Sequence, residues 1–414
     1  MKNYRDIAND IFERREACIA VQKARRKKRL RFTALFGLML LVVLAGIGGR
    51  RHHHPPLNGP TPSDSGENTT VATVTTTTTA SKKDDAESRY KDVSVCVESA
   101  AIVWPWEYLT VSEQYCYVTI DGTEYMGTGR AVSQTLVGDT LGTYMVYGYD
   151  AYNDRQAHTA AFAVYRLHDI AENRFVAVKM EGVYYVFRNN TYTPPSTLGE
   201  LMAQVPLSQV IELGRFSENG DGADNTHFIL ADDAYIWDVF EDCATAAFVE
   251  DPSFTVGDRH YLSFTVTSEA LGVYKVALYV TQDGYLWTNA FSYQYLFDIG
   301  EDAAERILTY AKTHSAQTDY EPYNRSIAGT VVAVTDEYLS VDDSILCRDP
   351  ADGITYRVLL NDRRVTRYVD YGLIHVGDTV QITYEGDVDE TYTITTALTM
   401  SEASIMNGDI LVYG

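Results

Sequence analysis

One uncharged run, residues 32–49 (FTALFGLMLLVVLAGIGG), constrains this chain more than any other stretch. As a helix, its 18 residues rise about 27 Å, close to the ~30 Å hydrocarbon core of a bilayer. That is at the short end, so flanking Leu30 and Arg50 are expected to reach into the interface. Seven cations precede the run: Lys23, Arg25, Arg26, Lys27, Lys28, Arg29 and Arg31. Only Arg50 and Arg51 follow it before His52. This asymmetry predicts a single-pass protein of the cell membrane, with its N-terminus in the cytoplasm and its C-terminal body outside. A cleaved signal peptide is the competing reading, with Val43-Leu44-Ala45 before Gly46 as the cleavage site. The long, helix-patterned segment before the run favours a retained anchor. A lipoprotein signal fails, because Ile47 stands where a lipidated Cys is required.

The run also divides the charge. The formal net charge is −23, yet residues 1–51 carry 13 Lys and Arg against four acids, which leaves −32 for the rest. A body this acidic repels nucleic acid and anionic headgroups, while cations or basic partners would be attracted. The plainer reading is a solvated acidic surface. Tyrosine is abundant at 31 residues and suits strands and amphipathic surfaces. Outside the membrane lie Cys96, Cys116, Cys243 and Cys347, which allow three pairings. Four cysteines in so long a body do not make a disulfide scaffold, so buried free thiols are an equal alternative.

Residues 1–31 read as one amphipathic basic helix. Tyr4, Ile7, Ala8, Ile11 and Phe12 follow helical spacing on one face. This stripe lies on the inner leaflet, or else Tyr4, Ile7, Ile11 and Phe12 form the face that docks a cytoplasmic protein. Residues 50–90 are a disordered Pro/Thr/Ser linker that lifts the body off the membrane. His52, His53 and His54 can bind a metal loosely, but in such a tether a solvated role is the stronger reading.

The expected fold class is α+β and β-rich: an antiparallel sheet-plus-helix body at 91–318, then a small OB-like β-barrel at 325–414. In the body, strands are expected at 115–120 and 123–126 around Asp121-Gly122, and at 144–149, 161–167, 175–180 and 183–187. A capping box, Thr197-x-x-Glu200, opens a short helix. A second series follows at 228–230, 235–240, 261–267, 274–280 and 285–288, closing on a helix at 301–314. The two series suggest a duplication near 91–210 and 225–318. Residues 319–324 read as a joint. Strands at 327–335, 338–341, 354–360, 379–384 and 392–398, with a helix or loop at 362–368, complete the C-terminal module.

Two segments carry a resemblance. YRDIANDIFERRE, followed by the basic cluster and the apolar run, resembles uncharacterised single-pass membrane proteins of Gram-positive anaerobes. GTVVAVTDEYLSVDDS with HVGDTVQITYEGDV resembles small OB-like modules in secreted and lipid-anchored proteins of that group. The resemblance implies the C-terminal OB-like fold. It implies no catalytic residues.

No HExxH, GxSxG, GxGxxG, Walker, CxxC or EF-hand pattern occurs, so no catalytic residue, cofactor or metal site is expected. The segment 219–224 (NGDGAD) looks calcium-like but departs from the loop pattern, and a solvated turn is preferred. Trp104, Trp106 and Tyr108 form the one aromatic knot that can stack on a sugar or peptide. Pro105 between the two Trp favours a packed edge instead. An OB-like barrel often binds nucleic acid. Here residues 325–414 hold 6 Arg and no Lys against 15 acids, which argues against it. The expected role is a membrane-anchored extracytoplasmic binding or scaffold protein of the cell envelope. The alternatives are an anti-sigma-like transmembrane regulator and an envelope enzyme whose motif is not visible.

Overall fold

The computed structural model describes residues 89–91, 95–98 and 102–413, apart from 154–155, 221–224, 252–253, 257–258, 292, 320–324 and 407–408. The apolar run, the tail with Tyr4, Ile7, Ile11 and Phe12, and the linker to residue 88 lie outside the described residues, as do most of the 219–224 turn and the 319–324 joint. Among the described residues, no helix is long and apolar enough to cross a membrane. Their strands form a closed six-stranded barrel, a seven-stranded sheet and an eight-stranded sheet.

The chain enters through β1 (Val95–Glu98) and a short helix, α1 (Val111–Gln114), capped by Thr110 and Glu113. Six strands then close into the barrel: β2 (Tyr117–Ile120), β3 (Thr123–Val132), β4 (Val137–Asp150), β5 (Gln156–Leu167), β6 (Phe175–Met180) and β7 (Val183–Asn189). The order around the barrel is β2-β3-β7-β6-β5-β4. Two tight turns work as the sequence suggests. Asp121-Gly122 has φ values of 49° and 82°, and Glu181-Gly182 has 48° and 88°, the left-handed pair that a twisted two-residue hairpin demands. Alternation puts Val118, Ile120, Val146, Val164, Val178 and Phe187 inside. Strand β6 is apolar on both faces, because Phe175 and Ala177 point outward into a second core.

That second core is shared with α2 (Leu198–Gln204), α3 (Leu207–Val210), β8 (Arg215–Glu218), β9 (His227–Leu230), α4 (Ala234–Asp242), β10 (Tyr261–Ser268), β11 (Val273–Thr281), β12 (Tyr285–Thr288), β13 (Tyr295–Asp298) and α5 (Glu301–Thr313), and β14 (Ser315–Thr318) follows at the sheet's edge. The sheet order is β13-β12-β11-β10-β8-β9-β14. Helix α5 buries Ala304, Ile307, Leu308 and Ala311, the face expected of it. Thr197 caps α2 by accepting from the Glu200 N–H at 3.2 Å, but the Glu200 carboxylate takes the Ser196 N–H instead of closing the box.

One element differs in type. Residues 235–240, expected as a strand, belong to helix α4. Ile236, Trp237, Val239 and Phe240 are buried at spacings that share one helical face, while Asp238 and Glu241 stay exposed. Asp233 anchors its start, accepting from the Trp237 indole at 3.0 Å and from the Leu213 N–H at 2.8 Å. Aromatic and β-branched content suggested a strand, and tertiary packing overrode it. The duplication does not extend to strand order, since the first set closes into a barrel and the second stays an open sheet.

The C-terminal module runs β15 (Arg325–Val334), β16 (Tyr338–Asp342), β17 (Thr355–Leu359), α6 (Arg363–Asp370), β18 (Thr379–Glu385), β19 (Thr393–Ile394), β20 (Thr396–Met406) and β21 (Asp409–Tyr413). Antiparallel pairs join β15 to β16, β16 to β17, β15 to β18 and β18 to β20, while β17 pairs in parallel with β19. Only Thr395 separates β19 from β20, and α6 falls between the third and fourth strands; all lie in the eight-stranded sheet, in the order β1-β21-β20-β18-β15-β16-β17-β19, whereas the closed barrel is the one formed by β2–β7. Strand β1 pairs in parallel with β21. The Lys91 N–H donates to the Leu346 carbonyl at 2.9 Å, and Trp104 packs in this module's core. The sequence assigned everything from residue 91 to the preceding body. The structure instead seats the entering segment on the C-terminal module, and the barrel and open sheet are inserted between its two parts.

Candidate functional site

The aromatic knot is divided between the C-terminal core and the side of the barrel. Trp104 is buried 4.7 Å from Tyr368, edge to face, with the Arg367 guanidinium 4.7 Å from its ring centroid. Tyr108 lies 4.9 Å from Tyr371. Trp106 instead stacks on His158 of β5 at 4.3 Å and meets Tyr115 at 5.6 Å. Arg367 also holds both Glu113 carboxylate oxygens at 3.0 Å. Pro105 thus sends two indoles in different directions, and the segment rivets the barrel to the C-terminal module. Trp104, Trp106 and Tyr108 do not form a common stacking platform.

A different aromatic group does. On the outer face of the barrel, β2 presents Tyr117, and β4 presents Met145, Tyr147 and Tyr149, since Val118, Val146 and Gly148 take the inward positions. Register makes Tyr117 and Tyr147 direct cross-strand partners. Their rings stack at 5.5 Å, and Tyr149 meets Tyr147 edge-on at 5.9 Å. Tyr149 is 53% exposed and Met145 55%. Large exposed apolar groups drawn together on a rigid sheet mark an interaction surface.

A carboxylate borders the tyrosines. Glu124 of β3 accepts from the Tyr147 hydroxyl and from the Asn190 amide, the latter at 2.8 Å. These bonds, led by the one from Tyr147, hold the Glu124 carboxyl below its ordinary range despite some desolvation. Tyr147 is correspondingly pushed up to about 12, chiefly by its hydrogen bond to Glu124. Beyond Asn190 the strip continues. The Tyr293 hydroxyl donates to the Asn190 carbonyl at 3.0 Å, and Tyr293 packs edge-on against exposed Tyr192 at 5.0 Å. Between Lys91 and Arg155, Arg130 is the sole Lys or Arg in the sequence. The arrangement offers aromatic faces for C–H surfaces and an ionised acceptor for hydroxyls.

The sequence reading missed these residues, although Tyr147-Gly148-Tyr149 carries the alternation that puts both tyrosines on one face. What it lacked was the register that brings Tyr117, Glu124 and Asn190 alongside. Cys116, Cys243 and Cys347 are unpaired thiols, each pushed up by burial. Among the described residues, no group of three or more His, Cys, Asp or Glu is placed to hold a metal ion. Compared with protein-family models, curated proteins and solved structures, the chain matches none.

Proposed function

We propose that this chain is a membrane-anchored, extracytoplasmic binding protein of the cell envelope, whose barrel holds uncharged polysaccharide on its tyrosine strip. The observation that carries this reading is the outward set of half-buried Tyr117 and Tyr147 and exposed Tyr149 beside the ionised Glu124. Tyrosine rings bring large, rigid contact area at little entropic cost, and their hydroxyls stay wet. The carboxylate accepts from sugar hydroxyls. The surrounding negative charge disfavours anionic polymers. The anchor expected at residues 32–49 and the linker expected at 50–90 support a body held off the membrane. The C-terminal module's antiparallel strands with one intervening helix support an OB-like module, which here serves as the seat of the tether.

The test is co-sedimentation of the purified full-length chain with insoluble mannan, β-glucan and chitin. Each ring-to-sugar contact is taken as worth about 1 kcal/mol, so a Tyr147→Ala/Tyr149→Ala double variant should bind roughly tenfold to thirtyfold more weakly. Equal retention of parent and variant, or no retention of the parent on any of the three polymers, refutes the assignment.

A further inference from the structure

In a chain of 57 Asp and Glu against 34 Lys and Arg, a guanidinium readily finds a carboxylate. Arg89, Arg130, Arg166, Arg259 and Arg306 each do so. Among the described residues, Arg188 of β7 meets none. Its Nη1 reaches the Phe291 carbonyl only at 3.5 Å, and its buried Nε has no hydrogen-bond partner. Burial pushes the pKa of this half-buried cation down from its ordinary value. A cation held partly out of water with no counter-ion costs stability. Folds retain such local inconsistencies chiefly at functional sites.

Register puts Arg188 on the tyrosine face. Direct partners across antiparallel strands point to the same side of the sheet. Tyr147 pairs with Tyr117, Tyr117 with Met126, and Met126 with Arg188. One outer row therefore crosses β4, β2, β3 and β7. At the usual strand spacing Arg188 stands about 10 Å from Tyr117 along this row, with half-buried Met126 between them. The next outward positions on β3 and β7 are Glu124 and Asn190, joined at 2.8 Å. Glu124 takes one donor from Tyr147 and one from Asn190, and a carboxylate has lone pairs for more. A cationic donor, a thioether and an anionic acceptor thus lie side by side at the end of the tyrosine row.

We propose that this patch, given the polysaccharide reading of the strip on which it rests, selects chains of N-acetylated hexosamine by gripping the acetamido group. That group carries a carbonyl acceptor, an N–H donor and a methyl. Arg188 donates to the carbonyl, Glu124 accepts from the N–H, and Met126 meets the methyl, while Tyr117 and Tyr147 take the sugar faces. Glu124 and Arg188 occupy diagonal positions, roughly 7–8 Å apart between backbones, which suits two groups holding a trans amide from opposite sides. A hydroxyl in place of the acetamido group leaves Met126 uncovered and cannot serve both charged partners at that separation. A carboxylated sugar would satisfy Arg188 but would bring a second negative charge beside Glu124.

The experiment is calorimetric titration of the purified full-length chain with chitohexaose, cellohexaose and oligogalacturonate. The first two differ in each ring only by acetamido against hydroxyl. Chitohexaose should bind roughly tenfold more tightly than cellohexaose, the worth of one hydrogen bond to a charged group. Arg188→Met should largely abolish this preference without lowering the thermal midpoint, because it removes a partly buried cation that has no counter-ion. Equal binding of the two oligomers by the parent, or an unchanged preference in Arg188→Met, overturns the acetamido assignment and leaves the strip standing. Tighter binding of oligogalacturonate than of chitohexaose overturns it in favour of a carboxylate ligand. Equal weakening of both oligomers with a lowered midpoint in Arg188→Met makes Arg188 a residue of the fold and overturns it too. Binding of none of the three refutes the strip and the acetamido assignment together.

Discussion

Replacing Asp343 by Ala should loosen the point where the chain enters its folded body. The Asp343 side chain is 2% exposed. Its carboxylate accepts from the Arg89 guanidinium, from the Tyr90 hydroxyl at 2.8 Å and from the Ile354 N–H at 2.7 Å. Arg89 and Tyr90 are the first described residues of the chain, and Ile354 precedes β17. One carboxylate therefore fastens this entering segment to the C-terminal module. Truncating it strands a guanidinium, a hydroxyl and an amide. Breaking a buried ion pair by removing one partner costs ~3–5 kcal/mol. Arg89 is 24% exposed and keeps bonds to the Asp352 carbonyl at 2.8 Å and the Tyr356 hydroxyl at 3.0 Å, which favours the lower end. A cost of about 3 kcal/mol raises the local opening equilibrium roughly 150-fold. Asp343→Asn retains a carbonyl acceptor and should cost about half as much. Amide exchange is the suitable assay, because it reads this module separately from the barrel. Protection should fall at Lys91 and along β1 and β21 while barrel amides keep theirs. Unchanged protection at Lys91 and β1 in Asp343→Ala would refute the reasoning.

Two further outcomes follow from the barrel. A Cβ added at Gly148 would stand 1.9 Å from the Gln114 carbonyl oxygen, which is backbone and cannot swing away. Gly148→Ala should therefore displace α1 and cost about 1–3 kcal/mol, read as a lowered thermal midpoint, and an unchanged midpoint would contradict the packing. The Glu124–Tyr147 bond predicts pH dependence at both ends. With the Glu124 carboxyl depressed, its contribution is present above about pH 4.3 and is lost as pH falls through the folded value. With Tyr147 raised to about 12, the phenol's contribution holds to about pH 10 and is lost as pH rises through its folded value. Glu124→Gln should move one phenol titration down toward its ordinary value in the ultraviolet spectrum. A phenolate spectrum unaltered by that substitution would remove the bond from the account.

The local features of the fold could be read directly. Strand β6 and strand β12 span the residues expected of them, and the turns at Asp121-Gly122 and Glu181-Gly182 carry left-handed residues. Helix α4 was misread because Tyr235, Ile236, Trp237 and Val239 favour a strand in isolation, and only burial against the shared core selects the helix. Strand β21 was unseen because its partners include β1, more than 300 residues earlier. The candidate sites were largely hidden for the same reason. Trp104, Trp106 and Tyr108 drew attention as neighbours in the chain, yet Trp104 packs in the C-terminal core while Trp106 stacks on His158 of the barrel. Tyr117, Tyr147, Glu124 and Asn190 are scattered in sequence and adjacent in space.

What the sequence determines by itself is therefore one-dimensional. The length of the apolar run 32–49, the charge on its flanks, the alternation of strands and the chemistry of two-residue turns need no distant partner. The expectation of an anchor rests there alone. Tertiary structure decides which outward tyrosines meet, that β1 pairs with β21 of the C-terminal module, and that Arg215, Lys275 and Arg325 line one cleft. The physical reason is register. A strand's pattern says which residues share a face but not which strand lies beside it, and that choice is made only when non-local ladders close and bury a common core.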